Sequence, residues 1–409
     1  MNQGRARFPS FVGGGFECSS HRRADGKRLD IVQATGHDLI AAEDYARLRD
    51  CGLLWARDGL RWHLIETTRG RYDWGSWLRQ LDGAEAAGTS VWWDLVHFGI
   101  PDIHDIWSAD FPYRAADFGA AAAELHRQHT GRPGQFCPVN EIGFMSFAGG
   151  EMGWMYPRVR GQGYRLKEQL VRAAVAIARA VRVAQPEAGL LWAEPLIHVA
   201  CRDRCLQITA DDAIAAQYEA LDWILGRTRR DLGGDAALAD VIGWNHYPHN
   251  QWWVGGETIA FGAPGFTGLA ELLKRCAARY QGHPMLLAET GAEGPARAGW
   301  LHYIGQECQL AKGLGVPLLG ACLYPVTQYP GWDDNRICPT GLFGMRAGTH
   351  RAIEAPALAA IQALEAAMAR QEAPAAAGPA ATFIPAAAPD RAIRTLVRPC
   401  EPATGSCPE

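Results

Sequence analysis

Eight short apolar runs punctuate this chain: FVGGGF (11–16), LLWARDG (53–59), SVWWDLV (90–96), FCPVN (136–140), GLLWAEPL (189–196), VIGWNHY (241–247), MLLAET (285–290) and PLLGACLYP (317–325). Between them lie segments with helical spacing or helix-forming composition. EDYARLRDCG (43–52) closes on a glycine stop, and WLRQLDGAEAAG (77–88), FGAAAAELHRQHTG (118–131) and LKEQLVRAAVAIARAVRVAQP (166–186) follow it. Strand candidates alternating with helices predict a parallel sheet. Eight such units that close on themselves make a single α/β (β/α)8 TIM barrel. A doubly wound sheet would more often show about five to seven strands and a glycine-rich phosphate turn after the first. The GGGF of the first run sits inside a strand and is not followed by GxxG, so it is a poor phosphate loop.

The alternation stops near Gln371. From there the chain reads QEAPAAAGPAATFIPAAAPDRAIRTLVRPCEPATGSCPE, alanine and proline without amphipathic period, which cannot bury much apolar surface. The expected organisation is therefore a barrel over 1–370 and a flexible or partly docked tail over 371–409. The 409 residues suit a barrel with insertions, a fold that runs from about 250 residues to beyond 400.

Composition narrows the partners. The hydrophobic share is 48% and the net charge −4, so no basic stripe points to nucleic acid. No apolar stretch reaches the ~18 residues that would span a membrane, and MNQGRARFPS lacks a signal-peptide core. The eleven cysteines are scattered without a Cys-x-x-Cys, which argues against a zinc knuckle and for mostly buried free thiols in a cytoplasmic protein. Fifteen tryptophans and eleven tyrosines offer stacking faces for a ligand, beside their role as core.

In such a barrel, chemistry collects at the C-terminal ends of the strands. Glu141 ends the fourth run in CPVNEIG, and Glu289 ends the seventh in MLLAETG. Either alone reads as a strand-end residue with a basic partner. Together they are the pair of carboxylates that glycosidic cleavage needs, one to protonate the leaving oxygen and one to act as nucleophile or base. A gap of roughly 5–5.5 Å would imply retention, and roughly 6.5–9.5 Å inversion.

The order of these motifs resembles the retaining β-glycosidases of glycoside hydrolase clan A, most nearly family 1, the β-glucosidase type. The resemblance covers residues 8 to 345. It implies that Asn140-Glu141 is the acid/base motif, with Asn140 on the sugar 2-hydroxyl, and that Glu289 in Glu289-Thr290-Gly291 is the nucleophile. It also implies that Arg57 supports the nucleophile, that His97 contacts sugar hydroxyls, and that Asn245 and Tyr247 match an Asn-x-Tyr motif, with Tyr247 bonded to the nucleophile. FVGGGFECSSH resembles the opening strand and sets His21 where the family has a sugar-binding glutamine, with Glu17 just before it. Three departures stand out. Ile142 replaces a proline and Thr290 an asparagine. The last loop offers Tyr324, Trp332, Asp333 and Asp334 where the family has Trp-Ser and Glu-Trp.

The implied activity is a cofactor-free retaining β-glycoside hydrolase acting on a carbohydrate or glycoside. Asp94 is a structural or site residue. Glu194 reads as a salt-bridge partner, and Glu66 and Glu293 as structural. Two alternatives keep the same residues: a transglycosylase, and a non-catalytic sugar-binding barrel. A metal-dependent hydrolase is a third, although thirteen histidines include no His-x-His.

Overall fold

The structure, a computed structural model, describes residues 7–372. Seven of the eight apolar runs contain a strand and the fourth overlaps one: β1 (Val12–Gly15), β2 (Trp55–Gly59), β3 (Ser90–Asp94), β4 (Gln135–Cys137), β5 (Gly189–Pro195), β6 (Val241–Asn245), β7 (Met285–Thr290) and β8 (Leu318–Leu323). All neighbouring pairs are parallel, and β1 pairs with both β2 and β8, so the sheet closes into a barrel with the strands in chain order. Helices α1 (Ala41–Asp50), α2 (Gly75–Ala87), α3 (Phe111–Thr130), α4 (Gly163–Ala184), α5 (Glu219–Ile224), α6 (Leu269–Arg279), α7 (Ala296–Gly313) and α8 (Ala355–Glu372) follow the strands in turn. This is a (β/α)8 TIM barrel. The first two residues of the predicted tail complete α8, and the rest of that tail lies outside the described residues. No helix among the described residues is long and apolar enough to cross a membrane. The nine described cysteines are free, seven of them buried.

Strands buried on both faces read as continuous apolar runs, which is why the pattern located them. One face packs outward on the helices. The other fills the barrel with a plug that includes Trp55, Trp92, Leu191, Val241, Leu286 and Cys322. The glycines of β1 exist for this plug. A Cβ on Gly13 would lie 2.3 Å from the Trp55 ring, and one on Gly15 would lie 2.0 Å from the Tyr324 ring. β4 is short because Pro138 has no N–H to continue the ladder. The chain nevertheless stays bonded to both neighbours: the Asn140 amide donates to the Val96 carbonyl and the Glu141 amide to the Ala193 carbonyl, each at 2.9 Å.

The loop between β1 and α1, which carries Glu17 and His21, is tied down by a buried polar network. His37 stacks on Phe16 and lies 2.9 Å from both Asp44 and Asp58 through its two ring nitrogens. Arg351 and Tyr45 complete the set on Asp44 and Asp58 respectively. Burial opposes a charge on His37, but the two carboxylates win and hold its pKa up to about 9. That folded value lies above the unfolded one of about 6.5, so the stabilisation is complete below pH ~6.5 and is lost as pH rises through about 9. Replacing His37 by alanine removes the cation between two buried carboxylates, leaving Asp44 its Arg351 but Asp58 only neutral donors, Tyr45 and Gln80 among them, and is expected to cost roughly 3–5 kcal/mol near neutrality. Urea denaturation of both proteins at pH 6.5 and 9.5 checks this. The difference between them should shrink at the higher pH, and an unchanged difference would remove the imidazolium from the account.

Candidate active site

The carboxyl ends of the strands converge on Arg57. It is fully buried, and its guanidinium spans four acceptors: Nη1 donates to Glu289 Oε1 at 2.9 Å and to the Ala288 carbonyl at 3.0 Å, while Nη2 donates to Asp94 Oδ2 at 2.7 Å and to Asn140 Oδ1 at 3.1 Å. A planar fork can serve several acceptors at once, which an ammonium cannot. β2 places Arg57 two residues after Trp55, on the same inward face, so the barrel plug is the floor beneath it.

Glu289 reaches this centre through an irregularity in β7. Trp244 of β6 pairs with Leu287, but the next residue, Asn245, pairs with Glu289, so one extra residue is accommodated on β7. Such a bulge re-aims the side chain that follows it. Without it Glu289 would alternate outward with Leu287; with it the carboxylate joins the inward face beside Asn245. Tyr247 donates its hydroxyl to Glu289 Oε2 at 2.8 Å, so both carboxylate oxygens are bonded.

Glu141 occupies the opposite side. Its backbone is left-handed, with φ 47° and ψ 58°, a conformation that costs a non-glycine residue about 1–3 kcal/mol. The turn sends the chain from the β4 ladder into the short helix Ile142–Met145. Asn245 donates Nδ2–H to Glu141 Oε1 at 2.9 Å, so one asparagine pairs with Glu289 through the sheet and with Glu141 through its side chain. Glu141 is partly exposed, whereas Glu289 is only 4% exposed.

The two carboxyls differ in their surroundings. Burial and then the Glu289 charge push Glu141 well above the usual carboxylate range, with Asn245 the strongest opposing contact. Burial also raises Glu289, and Arg57, His97 and the Tyr247 hydroxyl offset that rise only in part. These surroundings favour Glu141 over Glu289 as the holder of a shared proton.

His97 and Tyr324 line the adjoining wall, with stacked rings 5.8 Å apart. His97 donates Nδ1–H to Asp94 at 2.8 Å, and its Nε2 lies 3.4 Å from both Asn140 Nδ2 and the Tyr324 hydroxyl. Burial works against a charged imidazole here, yet Asp94 outweighs it and raises the His97 pKa. Asp94 is thus the residue that orients both Arg57 and His97. Glu17 is buried, accepts from the Ser19 amide at 2.9 Å and lies 3.9 Å from His97 Nε2. His21 meets Trp332 edge-to-face at 5.1 Å, and neither His21 Nδ1 nor Trp332 Nε1 has a partner among the described residues. Burial keeps His21 neutral, with its pKa lowered to about 4. Trp332 also packs on Phe98 at 5.6 Å. Asp333, in contrast, is exposed, and its carbonyl accepts from Arg23 at 2.7 Å. The structure joins Arg57, Asn140, Glu141, Asn245, Tyr247, Glu289, His97 and Tyr324 in one network, with Glu17, His21 and Trp332 beside it and Asp333 outside.

The chain shares its architecture with solved β-glucosidase structures. Matches include the family 1 β-glucosidase from Thermotoga maritima (TM-score 0.71, 14% identity, 87% of this chain and 97% of that one). Others are the T. maritima β-glucosidase in complex with glucoimidazole (0.71, 15%, 88% and 99%) and with cyclophellitol (0.70, 15%, 87% and 98%). This chain has the family 1 β-glucosidase fold. No protein-family model matches it, and no curated protein does.

Two acids outside that pair are committed elsewhere. Glu66 accepts from Trp62, Gly70 and His104, and Glu293 pairs with Arg336. Glu194 is not the salt-bridge partner expected from sequence. Both its oxygens accept backbone N–H groups, from Ile142 and Gly143, each at 2.9 Å. Burial pushes its pKa up to about 7 against those two bonds. The one group of metal-type donors among the described residues is Cys18, Asp94 and His97. It does not fit a cation, because Asp94 is already paired with Arg57 at 2.7 Å and a metal would sit beside that buried guanidinium. Burial also raises the Cys18 thiol well above its usual range, which disfavours the thiolate a metal would need.

Proposed function

We propose that this chain is a retaining β-glycoside hydrolase in which Glu289 is the nucleophile and Glu141 the acid/base. The observation that carries the reading is the opposed setting of the two carboxyls around Asn245. Glu289 is bonded through both oxygens to Arg57 and Tyr247, which favours the charged form. Glu141 is desolvated and repelled by Glu289, which favours the protonated form against the single neutral donor from Asn245. Pushing two carboxyls apart in pKa is how one site supplies a nucleophile and an acid at the same pH.

Glu289 attacks the anomeric carbon while Glu141 gives its proton to the departing glycosidic oxygen, leaving a glycosyl ester on Glu289. Ester formation removes the Glu289 charge, one cause of the high Glu141 pKa, so Glu141 becomes a carboxylate able to take a proton from water. That water cleaves the ester and the anomeric configuration is retained. Asn140, oriented by Arg57, offers its amide to the sugar 2-hydroxyl, and His97, His21 and Trp332 offer polar ring atoms to the remaining hydroxyls. Sugar-like ligands are named in the complexes of the structurally similar β-glucosidases, which accords with a carbohydrate substrate.

A panel of aryl β-glycosides tests the reading, with the product anomer followed by NMR. The first-formed sugar is expected to be the β-anomer. The pH profile should fall on its alkaline side as Glu141 loses its proton, well above the ordinary carboxylate pKa of about 4.3. In Glu141→Ala that alkaline limb disappears, and turnover of glycosides with poor leaving groups drops about 10²–10⁴-fold. First-formed α-product, or an unaltered profile in the variant, would reject the mechanism.

A further inference from the structure

Glu194 is a further buried strand-end acid beside this site and takes no part in the reaction above. It stands at the end of β5, is 2% exposed, and pairs with no cation within ion-pair distance among the described residues. Its two oxygens meet the two amides that follow Glu141. The residue before it, Ala193, accepts the Glu141 amide itself at 2.9 Å. The Ala193–Glu194 segment therefore grips three consecutive N–H groups, of residues 141, 142 and 143.

We propose that Glu194 is a positioning residue for Glu141: by accepting the Ile142 and Gly143 amides it holds the left-handed backbone of Glu141 and so aims the acid at the leaving oxygen. This rests on the reading of Glu141 as the acid. Three features carry it. The φ of 47° at Glu141 is unfavourable for a residue with a Cβ and persists only where its surroundings fix it. Two converging N–H donors match the two oxygens of a carboxylate, whereas an amide side chain would turn an NH2 toward one of them. The residues on either side of the contact are suited to it. Ile142 supplies an N–H that a proline would lack, and a Cβ on Gly143 would lie 2.8 Å from Glu194 Oε2. A side chain at 143 must therefore push the carboxylate away.

The test compares Glu194→Gln, Gly143→Ala and Glu141→Gln with the wild type on two β-glycosides of the same sugar, one with an alkyl aglycone and one with 2,4-dinitrophenol. The dinitrophenolate leaves without a proton, so it reports everything except the acid. For Glu194→Gln, kcat/KM on the alkyl glycoside should fall about 10–100-fold, and on the dinitrophenyl glycoside less than about threefold. Gly143→Ala should show the same split without altering the carboxylate, and it carries the test if Glu194→Gln does not fold. Equal losses on both substrates, or none on either, would overturn the positioning role. If Glu141→Gln shows the split and neither other variant does, only the role of Glu194 fails. If Glu141→Gln shows no split, the acid assignment fails and the role of Glu194 falls with it.

Discussion

Glu289→Ala should abolish hydrolysis, lowering kcat by about 10⁵-fold, the scale seen when the nucleophile of an assembled site is removed. The protein should remain folded, because Arg57 keeps its bonds to Asp94, Asn140 and the Ala288 carbonyl when the carboxylate is lost. The loss is therefore chemical, and circular dichroism should not register it. In the proposed mechanism the space left by the carboxylate faces the side of the sugar opposite the leaving group. A small anion placed there can do what Glu289 did, once. With an activated β-glycoside and sodium azide the variant should recover measurable turnover and yield the α-glycosyl azide, identifiable by NMR. The first step would be intact and only the second impossible, since an azide product is not an ester that water can cleave. A variant with normal kcat, or a β-configured azide, would move the nucleophile to another residue.

The fold was legible because a parallel barrel buries both faces of each strand, so the strands read as uninterrupted apolar runs such as MLLAET and VIGWNHY. The helical stop at Gly52 was also visible, and that glycine adopts positive φ. Less was legible between β5 and β6, where Gln207–Ala216 and α5 are short and the first of them is largely exposed. Little apolar period marks such a segment, because little of it is buried.

At the site, residue types and strand ends pointed to Glu141 and Glu289, and resemblance supplied Arg57, Asn245 and Tyr247. What sequence did not convey was geometry. The extra residue in β7 that turns Glu289 inward leaves no mark in the letters LLAET. Glu194 looked like any strand-end acid in need of a cation, since nothing in WAEPL reveals that its partners are amides more than fifty residues upstream. The one signal was Ile142, a residue with an N–H where the resemblance expects proline. Asp333 illustrates the converse: an acid in the right loop, but exposed and away from the network.

Arg57→Met is the second large effect, and it should appear in stability as well as in turnover. The variant matches the volume of the side chain but removes the cation shared by Glu289 and Asp94, both buried. Breaking a buried pair from one side costs roughly 3–5 kcal/mol, because the remaining charge has neither water nor partner. Asp94 keeps His97 at 2.8 Å; Glu289 keeps only hydrogen bonding from neutral Tyr247 in direct contact. The carboxyls can relieve the cost by binding protons, so their folded pKa values rise above the unfolded ones. Folding then takes up protons, and the stability of the variant must decline as pH rises. Urea denaturation should accordingly show a larger deficit against wild type at pH 8 than at pH 5. The same protonation removes the lone pair that attacks the sugar, so kcat should collapse at neutral pH even in the fraction that is folded. Arg57→Lys should not rescue either property, because a point charge on a flexible stem cannot reach four acceptors held by two strands and the β4 end. A methionine variant as stable as wild type at pH 8 would mean that Glu289 is neutral in the resting protein, and the nucleophile would have to be sought elsewhere.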